Sequence, residues 1–228
     1  EAIRRAVACV DRDLDDSPAR RCWRDDHTAG AVLACFPRLR LRDDRRLVTY
    51  HWREGGNGDG WTFSFPEDAA VPSAAAFFAA DDWPDRAPDE ADPDANAAAR
   101  GNGTLAAYVE AAVATYELRE VGARWHGVSW GTHEVVDPAG AGDSAVGPWS
   151  PDATESGGWA WIDEPPASFT PEAVRDGAGL THARFWTLTG LGGWQLVAHR
   201  LTFPAAGVLL PIGHEQRTIA TGGGGYVF

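Results

Sequence analysis

The 228-residue chain has no lysine and no methionine, and its apolar runs end after a few residues. A membrane-spanning helix needs about 20 apolar residues in succession, so no segment qualifies. Glu1 to Asp16 is amphipathic and charged, unlike the apolar core of a secretory signal. Only three cysteines are present, Cys9, Cys22 and Cys35, without a C-x-x-C pair. An odd number of thiols argues against a disulfide framework, and the spacing argues against a thiolate zinc site. Cys9 and Cys35 stand among apolar residues and read as core. A reducing, cytoplasmic setting is the default expectation.

With lysine absent, every basic residue is an arginine: 20 of them against 33 acids, for a net charge of −13. Codon bias toward G and C accounts for this usage, and the resulting surface also suits high salt. The charge is uneven. Residues 1–53 hold 12 arginines and 9 acids, whereas the remainder holds 8 and 24. Most of the surface would repel phosphate, which makes nucleic acid an unlikely partner. A protein partner or a small molecule fits better.

Secondary structure is readable in several places. Ile3, Ala6, Val7, Val10 and Leu14 recur at helical spacing over residues 2–14. Ala31 to Phe36 is apolar without a clear period. Leu47 to Arg53 and Trp61 to Phe65 are rich in β-branched and aromatic residues and flank a glycine-rich stretch, Glu54 to Gly60, which is a hairpin signal. Pro72 and Ser73 introduce a short helix to about Ala80. Residues 81–94 concentrate acids and prolines and read as an exposed linker. The strongest helix is 104–120: Thr104 caps it, Leu105, Tyr108, Val109, Ala112, Val113 and Tyr116 form its stripe, and Gly122 ends it. Thr170-Pro171-Glu172 resembles a helix start, stopped by Gly177. Thr181–Thr189 and Trp194–Phe203 form a second hairpin across residues 190–193, with further strands at 207–212 and 217–220. These elements predict a single α+β domain over residues 1–228: a mainly antiparallel sheet that can curl into a partial barrel, with at least two helices packed on it.

Chemistry concentrates in residues 125–134, which hold Trp125, His126, Ser129, Trp130, His133 and Glu134. Gly127-Val-Ser129-Trp-Gly131 matches G-x-S-x-G, the nucleophile elbow in which a histidine would take the Ser129 proton. The elbow needs a buried strand before it and a helix after it, and neither is predicted here. A second reading is one divalent metal ion on His126, His133 and Glu134, with His199 or His214 from the C-terminal strands, in a metal-dependent hydrolase or lyase. The spacing matches no H-E-x-x-H pattern. The third reading starts from the 11 tryptophans. Such rings gather in cores and at binding surfaces. Trp125, Trp130, Trp159 and Trp161 are the candidates for ligand contact. The absence of a credible catalytic constellation favours this third reading, a non-enzymatic binding protein with an acidic, tryptophan-rich surface.

Overall fold

The computed structural model describes residues 21–80, 87–125, 128–129, 133–136, 158–190, 193–204 and 207–223. The chain divides into two compact units, Glu1–Trp130 with Gly207–Leu210, and Gly131–Ala206 with Pro211–Phe228. The helix expected over residues 2–14 lies outside the described residues. Both units are built on open antiparallel sheets, and no closed barrel forms among the described residues.

The first unit starts with β1 (Arg21–Asp25), α1 (Thr28–Leu33) and β2 (Leu39–Leu41). The hairpin of β3 (Arg45–Glu54) and β4 (Asn57–Pro66) follows. In β3, Leu47, Val48, Thr49, Tyr50 and His51 are all buried, so this strand is covered on both faces. Glu54 pairs with Asn57, leaving Gly55 and Gly56 as a two-residue turn with Gly55 at φ +57. Most of the glycine-rich stretch expected as a loop is therefore strand. The apolar run at Ala31 resolves into α1. Asp25 holds its start by accepting from the backbone N–H of His27 (2.7 Å) and Thr28 (3.2 Å) and from the Thr28 hydroxyl.

α2 (Ala74–Phe78) is capped by Ser73, whose Oγ accepts from Ala76 N at 3.2 Å. It places Phe77 in a 4.1 Å stack on Tyr50, within a cluster that includes Val48, Phe63 and Phe65. The Tyr50 hydroxyl donates to Pro72 O at 2.9 Å. Burial, reinforced by the charge of Asp26, pushes the Tyr50 phenol up to about 12 despite Arg24 and Arg46. Residues 87–94 of the acidic segment are docked rather than loose. Ser64 and Asp92 exchange two backbone hydrogen bonds, and Ala87 and Ala91 pack on the aromatic cluster. Residues 81–86 lie outside the described residues.

After a 3-10 turn (Ala95–Ala98) and β5 (Ala99–Gly101), α3 (Leu105–Arg119) runs as expected, with Thr104 Oγ1 accepting from Ala107 N. Its buried face shares Tyr108 and Ala112 with the expected stripe but is otherwise different. Ala107, Tyr108, Ala111, Ala112, Ala114, Thr115 and Leu118 are inside, while Leu105 is exposed. Small alanines let the helix sit close to its neighbours. The buried Asn96 side chain, donating to Ala111 O (2.9 Å) and to Thr115 Oγ1, fixes which face turns inward. Gly122, at φ +88, carries the chain out of the helix. β6 (Arg124–Trp125) and β7 (Val128–Ser129) then complete a sheet of order β1-β3-β4-β6-β7.

The second unit comprises β8 (His133–Val135), β9 (Ala160–Trp161), β10 (Glu172–Arg175), β11 (Thr181–Thr189), β12 (Trp194–Phe203) and β13 (Gly213–Gly222). Its order is β10-β11-β12-β13-β9, with β8 also pairing β11. The hairpin of β11 and β12 is the expected one. The helix expected at Thr170 is instead strand β10. A helix this short is marginal alone, and pairing of Glu172 to Arg175 with β11 satisfies the same backbone groups. Asp176 then turns the chain by accepting from Ala178 N and Leu180 N, both at 2.9 Å. The strand expected at 207–212 is also absent; β13 starts at Gly213 and contains the expected 217–220 segment.

Candidate functional site: an arginine-lined groove on the second sheet

Strand alternation sorts the second sheet into two faces. One carries Thr181, Ala183, Phe185, Thr187, His199, Leu201 and Phe203, all buried. The other carries Trp186, Leu188, Leu196 and Ala220, which form a core with Val136 and Ile219. Trp159, Trp161, Phe169 and Trp194 pack onto that core. Along this second face the strands run from apolar to charged. The row Leu188, Leu196, Ala220, Trp161 gives way to Trp186, Ala198, Arg217, and then to Glu172, Arg184, Arg200, Glu215.

A groove of about 560 Å3 opens where apolar gives way to charged. Trp186, Ala198 and Ile219 contribute apolar lining; Arg184, Arg200, Arg217, Glu164 and Glu215 contribute charge. Arg184 is held on two sides. The Arg184 guanidinium lies 5.1 Å over the Trp186 ring and donates to Glu172 at 2.5 Å. Stacking on a ring while bonded to a carboxylate restricts the side chain to one pose. Arg217 meets Asp163 at 3.1 Å, and Arg200 reaches Glu215 only at 4.0 Å.

The residues singled out in the sequence are distributed differently. His199 and His214 are brought together, with His199 Nδ1 3.1 Å from His214 Nε2 and His199 Nε2 2.8 Å from Thr187 Oγ1. His199 also stacks on Phe185 at 4.7 Å. Both ring nitrogens of His199 are thus engaged within the protein. His133 pairs with Thr189, whereas His199 pairs with Phe185, one strand further across. That register separates the two backbones by roughly 16 Å, too far for one metal ion. Glu134 pairs with Leu188. His126 and Trp130 lie outside the described residues. Among the described residues, no group of three His, Cys, Asp or Glu side chains could hold a metal. Ser129 sits in β7 opposite Arg124, and Trp125 in β6 opposite Val128, in an antiparallel edge pair. The elbow of G-x-S-x-G is a strand-to-helix turn; Ser129 ends the two-residue strand β7, and residues 130–132, which would form that turn, lie outside the described residues. Trp159 and Trp161 belong to the core packing: Trp159 lies against Gly222, and Trp161 stacks on Phe169 at 6.5 Å.

The first unit contains unusual ionisable groups. His51 is buried, stacks on Trp23 at 4.9 Å and lies 3.8 Å from Asp25. Burial works against the Asp25 charge, but the neighbouring His51, Thr28 and two backbone N–H groups outweigh it and hold the carboxyl well below the usual range. Glu120 shows the reverse: burial, then repulsion from Asp59, raise its pKa against the pull of Arg119. Asp59 is also raised by burial. Because the folded pKa of Glu120 exceeds 4.5, the folded state binds a proton that the unfolded state releases, and stability falls as pH rises through that window. Glu120→Gln removes this penalty. Its urea midpoint is expected to exceed wild type at pH 7 and to coincide with it at about pH 4; equal midpoints at pH 7 would contradict the assignment.

The fold and the groove define an α+β protein of two antiparallel-sheet units. No protein-family model matches the chain, and comparison with curated proteins and with solved structures gives no match. Function therefore has to be argued from the groove. Its arginines escaped sequence reasoning, which weighed histidines, acids and tryptophans. Counting outward from the 190–193 loop would set Arg184 against His199; the observed register, with Thr189 opposite Gln195, sets it against Arg200 instead.

Proposed function

We propose that the protein is a non-enzymatic binding protein and that the groove over Trp186 takes a small ligand. The observation that carries this reading is the groove itself. At about 560 Å3 it falls in the range of small-molecule sites, roughly 300–1,000 Å3. It combines an apolar floor with a few polar groups fixed by neighbours. Nothing in its lining resembles a nucleophile with an adjacent base: the imidazole of His199 is committed to Thr187 and His214. The tryptophans support the reading indirectly. Trp159, Trp161, Trp186 and Trp194 build the rigid sheet on which the groove rests.

Saturation-transfer NMR with a library of small aromatic and aliphatic fragments tests this. Wild type is expected to yield a set of hits. Ala198→Trp, which fills the floor, should abolish them. Val174→Trp, at an exposed site on β10 outside the groove, should leave them intact. Hits that persist in Ala198→Trp, or a wild type that binds no fragment, would remove the proposal.

A further inference from the structure

Arg184 of β11 and Arg200 of β12 are cross-strand partners on the groove face, in direct register. Like charges placed so are destabilising in a sheet. The chain has 33 acids to draw on and carries a net −13, yet here it sets two arginines at directly opposed positions. The flanking positions of the same row are acids, Glu172 beyond Arg184 and Glu215 beyond Arg200. Glu172 holds Arg184 from the outside at 2.5 Å, whereas Glu215 stands 4.0 Å from Arg200. Arg200 is the more available of the two, because its carboxylate partner is at 4.0 Å, the limit of an ion pair. Arg217 borders the same groove from the adjacent row, next to Ala198, whose small side chain leaves room.

The geometry points to a ligand with an anionic head between Arg184 and Arg200 and a flat apolar body over Ala198 and Ile219. This inference rests on the reading of the groove as a ligand site. The charge balance narrows the head group. Arg184 and Arg217 already hold Glu172 and Asp163, so Arg200, whose carboxylate stands at 4.0 Å, is the guanidinium with charge to spare, which matches one negative charge better than two. A guanidinium fork suits a planar oxyanion. A monocarboxylate is therefore the class assigned, in preference to a phosphate dianion.

Isothermal titration calorimetry with benzoate, benzamide and phenyl phosphate separates these cases. Benzoate is expected to bind about tenfold or more tightly than benzamide, as one charge-assisted contact implies. Its affinity should fall as salt is raised from about 0.05 to about 0.5 M. Arg200→Gln should abolish the advantage of benzoate while leaving benzamide unchanged. Arg175→Gln, on β10 outside the groove, should alter neither. Benzamide binding as well as benzoate would overturn the anionic head while the groove remained a ligand site. Phenyl phosphate binding tenfold more tightly than benzoate would overturn the monocarboxylate. If none of the three binds and the fragment library also yields nothing, the inference falls together with the reading beneath it.

Discussion

Gly60→Val is expected to destabilise the first unit by about 3 kcal/mol or more. A Cβ added at Gly60 would stand 1.9 Å from the carbonyl oxygen of Val121, and its nearest neighbours are backbone atoms that no rotamer change can move aside. The contact joins two elements. Gly60 lies in β4 opposite His51, and Val121–Gly122 is the turn by which the chain leaves α3. Gly122 completes the approach: a Cβ there would meet His51 Nδ1 at 2.5 Å, in a backbone conformation that already favours glycine. Either substitution must push the helix exit away from the sheet. At roughly 2–4 °C per kcal/mol, the thermal midpoint should drop by roughly 10 °C. Gly30→Ala is the matching control. Gly30 lies in α1 with open space where a Cβ would go, so alanine should stabilise by about 0.5–1 kcal/mol. A Gly60→Val protein that melts like wild type would show that the close approach is not real.

Trp186→Ala is expected to cost about 3–5 kcal/mol, the usual range for removing a buried tryptophan. Trp186 is 1% exposed and is one of the largest buried side chains in the molecule. Its ring meets Phe169 edge-on at 5.7 Å and belongs to the core with Leu188, Leu196 and Ile219. A second effect should accompany the first. With the ring gone, Arg184 loses the surface on which it rests, and only Glu172 still orients it. Trp186→Phe separates the two. It keeps an aromatic face under Arg184 and should recover most of the ligand affinity while recovering only part of the stability. Urea unfolding by circular dichroism reads the first effect, and benzoate titration reads the second. If Trp186→Ala were as stable as wild type, the core of the second unit would need to be redrawn.

Much of the fold was legible because it depended on local chemistry. Thr104 and Ser73 announced their helices as caps, and the glycines at 55–56 and 190–193 announced their hairpins. The failures occurred where tertiary pairing overrode a local signal. Thr170-Pro171-Glu172 has the chemistry of a helix start, yet the edge of β11 offered Glu172–Arg175 a ladder. In α3 the hydrophobicity of Leu105 and Val113 suggested one face, but the polar anchor of Asn96 and the small alanines chose another. The candidate site was less legible still. Histidines attract attention as ligands, yet His199 is spent on Thr187 and His214. An arginine on a strand looks like solvent decoration until its cross-strand partner is known.

That partnership has a consequence for how the chain tolerates change. Arg184 faces Arg200 only because the two strands are counted out evenly from the pair Thr189 and Gln195 beside the hairpin loop. Hairpin register follows loop length, and a slip of one residue turns a strand's side chains to the other face. A slip of one would bring Leu201 opposite Arg184 and carry Arg200 to the far side of the sheet. The number of residues in that loop acts as a ruler for the groove. Insertion or deletion in that loop should therefore disturb the buried face and the groove face together, and substitution at Gly190, where a Cβ would meet the Trp194 ring at 3.0 Å, should be poorly tolerated.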